Sequence, residues 1–124
     1  RAVIAALRDP DERVRTAAAT AAGELGDRAV GPILLARLVE ETDDDVAKAI
    51  VGALGVQREE RAAPKLAELV RAVSGVFQRR AVAMRVAAVH ALAAIGTAEA
   101  RATLELHRDD SVPEIRAAVL QALA

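Results

Sequence analysis

Apolar and alanine residues recur along this chain at helical spacing, and the pattern itself repeats. Residues 14–26 read VRTAAATAAGELG, 46–55 read VAKAIVGALG, 84–96 read MRVAAVHALAAIG and 115–124 read IRAAVLQALA. Aligned on Val14, Val46, Met84 and Ile115, the blocks lie 32, 38 and 31 residues apart. Each carries apolar residues at i, i+3, i+4 and i+7, the period of one helix face. In the first block that stripe is Val14, Ala17, Ala18, Ala21 and Leu25. Between the blocks, VGPILLARLV, APKLAELV and ARATLELH form second helical stretches, with stripes through Ile33, Leu34 and Leu38 and through Leu66, Leu69, Val70 and Val73. No window alternates with period two over a β-branched run, so no strand is predicted.

Stops and starts punctuate the pattern. Gly26, Gly55 and Gly96 stand where helices should end, because glycine enters the left-handed C-terminal turn without strain. Gly23, beside Gly26, also reads as a helix-end glycine rather than part of a phosphate cradle. Asp9-Pro10-Asp11-Glu12 and Ser111-Val112-Pro113-Glu114 each put an N-cap side chain three residues before a Glu, with Thr42, Ser74 and Thr97 as further N-caps. Eight helices are predicted, over about 1–8, 12–25, 28–40, 44–56, 60–73, 76–95, 98–107 and 112–124.

The acidic turn, Val-Arg-x-Ala-Ala-Ala, Leu-Gly, Asp and a Pro-containing helix resemble HEAT-like repeats, most closely the short type of phycobilisome (bilin) lyase subunits. The match is strongest in LRDPDERVRTAAATAAGELGDRAV. The resemblance implies an all-α, right-handed α-α superhelix of three to four repeats, one array over residues 1–124. In such an array each helix pair is too small to bury its stripe alone, so stacked neighbours complete the core. Alanines let helix axes approach toward the short end of the ~8–10 Å range. The second repeat departs from the pattern: Ala47 replaces the Arg, and Gln57-Arg58 replace Leu-Gly. An unbroken Asp–Arg ladder is therefore not expected.

The 38-residue interval leaves about six extra residues around AVSGVFQRRAVAMR. Phe77, Ala81, Met84, Ala88, Leu92 and Ile95 form one unbroken stripe. The extra residues read as longer flanking helices meeting at Ser74-Gly75, a helical-hairpin spur over 71–83. Arg71, Arg79, Arg80 and Arg85 fall there within fifteen residues that hold no acid. They could dock an acidic partner with Phe77 as apolar anchor, or neutralise the acidic turns at Glu40–Asp45 and Asp109-Asp110. Exposed charge networks are commoner than binding sites, which favours neutralisation.

Composition then limits the chemistry. At 124 residues, 53% hydrophobic and 28% charged, the chain suits one globular domain, and aromatics make up only 1%. The absence of cysteine excludes disulfides and thiolate chemistry and suits a reducing compartment, so a cytoplasmic location is expected. No apolar run is long enough to span a membrane, and no membrane partner is expected. The start at Arg1 and the close within LQALA suggest a segment of a longer protein. Both serines, Ser74 and Ser111, read as caps, which leaves no Ser–His nucleophile pair. His90 and His107 lack a second ligand at i+3 or i+4, so no metal site, and with it no cofactor, is expected. EETDDD at 40–45 lacks the spacing of a calcium loop and reads as a solvated turn before a helix N-terminus.

The remaining candidate surface belongs to the second helix of each repeat, the face that is concave and receives the partner in HEAT-like families. Its outward positions are Thr16, Thr20, Lys48, Gly52, Val86, His90 and Gln121. They are small, mixed and weakly charged, which suits a protein or peptide better than a phosphate backbone. A net charge of −1 with no Trp or Tyr argues against nucleic acid. The leading expectation is a non-catalytic interaction or scaffold module. The bilin-lyase resemblance implies a chromophore chaperone or transferase subunit as the alternative. Weak end-to-end self-association is also expected, through Val3, Ile4 and Leu7 at one end and Val119, Leu120 and Leu123 at the other.

Overall fold

A computed structural model describes the backbone of residues 2–71 and 78–124, and the side chains of 2–71 and 82–124. Phe77, Ser74 and the tip of the expected 71–83 spur lie outside the described residues, as do the side chains of Arg79 and Arg80. Among the described residues there are eight α-helices and no strand. They are α1 (Ala2–Ala6), α2 (Glu12–Leu25), α3 (Gly31–Glu40), α4 (Asp44–Gln57), α5 (Ala63–Val70), α6 (Gln78–Ile95), α7 (Ala98–Leu106) and α8 (Pro113–Leu123). Short 3₁₀ turns, Arg28–Val30 and Glu60–Ala62, lead into α3 and α5. α5 ends at Val70 with Arg71 extended, three residues short of the predicted 73.

Local chemistry sets the boundaries, not always with the residues the sequence suggested. Asp11, not Asp9, caps α2, accepting from Arg13 N at 2.9 Å. Asp43, not Thr42, caps α4, accepting from the N–H groups of Asp45 and Val46. Val112, not Ser111, stands at the α8 cap without a side-chain bond, and Asp110 accepts from its N–H at 3.0 Å. Thr97 caps α7 as expected, through Ala100 N. These shifts share one cause. An Asp or Glu that binds the N–H two residues on builds a tighter turn than the three-residue capping box.

Two predicted stops need correction. Gly26 and Gly96 do end their helices, both at φ 69°. Gly55, however, lies inside α4, and the left-handed residue is Arg58 at φ 53°. The bonds from Arg58 N to Gly55 O and from Glu59 N to Leu54 O close that end, offsetting the strain of a left-handed non-glycine residue. Gly55 serves a different purpose: a Cβ there would sit 2.9 Å from Ala91 Cα. Gly23 is likewise inside α2, where a Cβ would lie 3.1 Å from Ala53 Cα. Glycine facing alanine brings α2 onto α4 and α4 onto α6 at close range.

The packing forms two layers. α2, α4, α6 and α8 pack each on the next, while α1, α3, α5 and α7 back the helix that follows them. The core between the layers is aliphatic: Leu34, Ile50, Leu54, Leu66, Leu92 and Ile115 are among its fully buried side chains. In α2 the buried set is Ala18, Ala19, Ala22 and Gly23, whereas Val14, Ala17 and Leu25 are exposed. The predicted stripe is thus rotated by about one residue. α4 covers one flank of α2 and α1 backs it, and no helix among the described residues covers the flank away from α4. Leu7 and Val119, expected from the sequence to be sticky, are buried within their own repeats.

Candidate functional site

Within the inner layer, the buried faces of α2, α4, α6 and α8 leave one helix side free. Relative to Val14, Val46, Met84 and Ile115, the outward positions fall at −1, +2, +6 and +10, which share one side of a 3.6-residue helix. Thr20, Gly52, His90 and Gln121 are exposed, as predicted. Thr16, Lys48 and Val86 are half-buried; Thr16 donates its hydroxyl to Glu12 O at 2.9 Å, and Val86 leans against the core. A Cβ at Gly52 would meet nothing within 4 Å, so this glycine is an open notch rather than a packing contact.

The sequence reading drew only on the +2 and +6 positions of this face and missed those at −1 and +10, among them two apolar residues. Val56, 68% exposed, and the exposed Ala94 lie one turn beyond Gly52 and His90. The signal was present, because each follows its neighbour at i+4. Together with Val86 they give the centre of the face, across α4 and α6, an apolar character. Polar residues surround it: Arg13, Thr20 and Glu24 on α2, and Glu114 and Gln121 on α8, all exposed. A cleft of about 40 Å³ between α4 and α6 is lined by Asp44, Asp45, Lys48, Ala83 and Met84. His90 makes no hydrogen bond to the described residues, which leaves both ring nitrogens available to a partner.

The edge carrying the turns before α2, α4 and α8 is organised differently. Arg15 reaches from α2 to Glu41 in the next repeat through two bonds of 3.0 and 3.1 Å. Arg37 lies 3.4 Å from the same carboxylate, whose side chain is fully buried. Burial would raise the Glu41 pKa, but the Arg15 guanidinium and the Asp43 N–H outweigh it and hold the group below its ordinary value. EETDDD is therefore not simply a solvated turn: Glu41 is its structural anchor.

The same arrangement recurs two repeats later. Arg85, 3% exposed, pairs with Asp110 and donates Nε to Val70 O at 2.6 Å. His107 Nδ1 lies 3.2 Å from the same Asp110. Burial again pushes the carboxyl up, and the Val112 N–H, Arg85 and His107 together bring it below the usual range. Arg85 thus belongs to the joint between repeats rather than to a docking surface, whereas Arg79, Arg80 and Phe77 fall outside the described side chains. Between α4 and α6 this rung is missing, since Ala47 occupies the arginine position and is buried.

At the opposite end of α4 the departure from Leu-Gly has its own use. Gln57 is buried and donates Nε2 to Ala22 O at 2.9 Å, holding α4 to α2. Beside it, Arg28, Arg58, Glu59, Glu60 and Arg61 line an open groove of about 300 Å³. Arg61 pairs with Glu59, lowering its pKa, and the groove carries both signs of charge. Among the described residues no three His, Asp or Glu side chains converge as metal ligands, and no helix is long and apolar enough to cross a membrane.

Residues 1–84 match the family model described as HEAT repeats. Nothing among curated proteins matches the chain.

Proposed function

The chain belongs to the HEAT-repeat family, and on that premise we propose that it is a non-catalytic module that binds a protein or peptide on the outer face of α2, α4, α6 and α8. The observation that carries this reading is the face itself: an apolar centre of Val56, Val86 and Ala94 beside the Gly52 notch, with His90 free to bond and polar side chains around it. An apolar centre within a polar rim is the anatomy of a protein interface. Lys48 is the only lysine or arginine among the seven predicted positions, so the face lacks the cation row that a phosphate backbone requires. A cysteine-free scaffold suits a cytoplasmic setting.

The bilin-lyase alternative finds less support. With one Phe and no Tyr or Trp, the chain cannot by itself supply aromatic walls for a tetrapyrrole.

The test is capture of partner polypeptides from cell extract by the wild-type chain and by a Val56→Glu, His90→Glu variant. Leu106→Glu serves as control, because Leu106 is 83% exposed on α7, in the other layer. The proposal expects the double variant to lose the bound polypeptide with its melting curve unchanged, and the control to keep it. Capture that is indifferent to the double variant, or that is replaced by salt-sensitive binding of duplex DNA, would reject it.

A further inference from the structure

Leu25-Gly26, Gln57-Arg58 and Ile95-Gly96 stand at equivalent places, where α2, α4 and α6 end. Gly26 and Gly96 take the left-handed turn at φ 69°. Arg58 takes it at φ 53°, a conformation that a residue with a Cβ adopts only under strain. Beside it, Gln57 puts an amide where the other two repeats put an aliphatic side chain. Its Nε2 donates to Ala22 O, but Oε1 is buried and accepts no hydrogen bond from the described residues. A buried acceptor left without a donor costs stability. Two adjacent residues of the second repeat thus each carry a local cost, and the repeats on either side form the same turn without them. Local rules broken in this way mark places where function sets the residue.

Gln57 and Arg58 line the same groove, the open one of about 300 Å³ that they share with Arg28, Glu59, Glu60 and Arg61. Its walls are the turns leading into α3 and α5, so it lies inside the array, between two neighbouring repeats. Three arginines face two glutamates there, a surplus of one positive charge. Arg61 is committed to Glu59 through bonds of 2.9 and 3.0 Å. Arg28 and Arg58 are exposed, and their guanidiniums make no hydrogen bond or ion pair to the described residues.

The groove therefore offers two unpaired guanidiniums and one unpaired amide oxygen. Together these call for a carboxylate and an N–H donor on the same ligand. A peptide with an acidic side chain supplies both. A phosphate group supplies no N–H, and its second negative charge would face Glu59 and Glu60.

We propose that this groove binds an acidic peptide segment of a partner protein. An Asp or Glu carboxylate of the peptide sits between Arg28 and Arg58, and a peptide N–H bonds to Gln57 Oε1. The last torsion of a glutamine side chain is soft, so a small rotation turns Oε1 toward the groove. The site is distinct from the outer face of α2, α4, α6 and α8 and does not depend on what binds there.

Calorimetric titration at low salt with acetyl-Asp-Glu-Asp-Glu-amide tests this, with acetyl-Asn-Gln-Asn-Gln-amide as the uncharged counterpart. The acidic peptide should saturate one site with a Kd below about 1 mM, and the uncharged peptide should not bind. Arg58→Gly restores the glycine of the neighbouring repeats. It should melt at or above the wild-type temperature and yet bind the peptide roughly tenfold more weakly or worse. Arg28→Gln and Gln57→Leu should also weaken binding, whereas Arg101→Gln, which removes an exposed charge from α7, should not. If Gln57→Leu disturbs the α2–α4 contact, Arg58→Gly decides the matter. No saturable binding up to about 5 mM peptide overturns the proposal. So does affinity indifferent to Arg58→Gly, an equal loss with Arg101→Gln, or tighter binding of inorganic phosphate than of the peptide.

Discussion

At the scale of single residues, the glycines show how position decides meaning. Gly52 and Gly55 sit three residues apart in α4, pointing about 60° apart around the helix. Gly52 faces open space, whereas Gly55 faces Ala91 with no room for a methyl group. Gly52→Ala should stabilise the chain by about 0.4–1 kcal/mol, since alanine restricts the unfolded chain and fits the helix. Gly55→Ala should destabilise it by about 1–3 kcal/mol through overpacking against the α6 backbone. Denaturant melts of the two variants check both signs. Equal effects would mean that the close α4–α6 approach is absent.

At the scale of elements, the joints between repeats differ in kind. The α2–α4 and α6–α8 steps are each pinned by a buried acid that takes an arginine from the preceding helix. The α4–α6 step lacks the arginine and relies on the Gly55–Ala91 approach. Removing the charge at a pinned joint strands a buried guanidinium. Asp110→Asn should accordingly cost about 3 kcal/mol. Asp11→Asn, at an exposed pair with Arg13, should leave the melting curve unchanged.

The pH dependence follows from the same joints. Glu41, Glu59 and Asp110 all have folded pKa values below their ordinary ones. Their contribution is therefore fully present above the unfolded values, about pH 4, and is lost as pH falls through the lower folded values. Melting followed from neutral pH down to about pH 3 should show this acid loss, and Asp110→Asn should flatten it.

At the scale of the whole molecule, stability should grade from the ends toward the middle. In a repeat array each unit is stabilised by its neighbours, so terminal units open first. α4 and the described C-terminal half of α6 hold buried residues on two sides, while α1 has none fully buried. Native-state hydrogen exchange should protect α4 and residues 85–95 most and α1 least. Uniform protection along the chain would contradict the array description.

The sequence by itself determined that the chain is helical, how many helices the described residues form, and nearly where they run. Helical periodicity, capping acids and turn glycines are local signals, and they act within one or two turns of their own position. It also located part of the outer face, the +2 and +6 positions, because outward positions repeat with the block. What it could not determine is which side of each helix meets a neighbour, since that depends on contacts between residues tens of positions apart. Hence the buried stripe of α2 lies one residue from the one its periodicity predicts, Gly55 faces Ala91 rather than ending a helix, and Arg85 is buried against Asp110 rather than part of a surface patch. Only the tertiary structure decided these points. Stacking converts one amino-acid type into packing contact, helix end or open surface according to whether another repeat lies beside it.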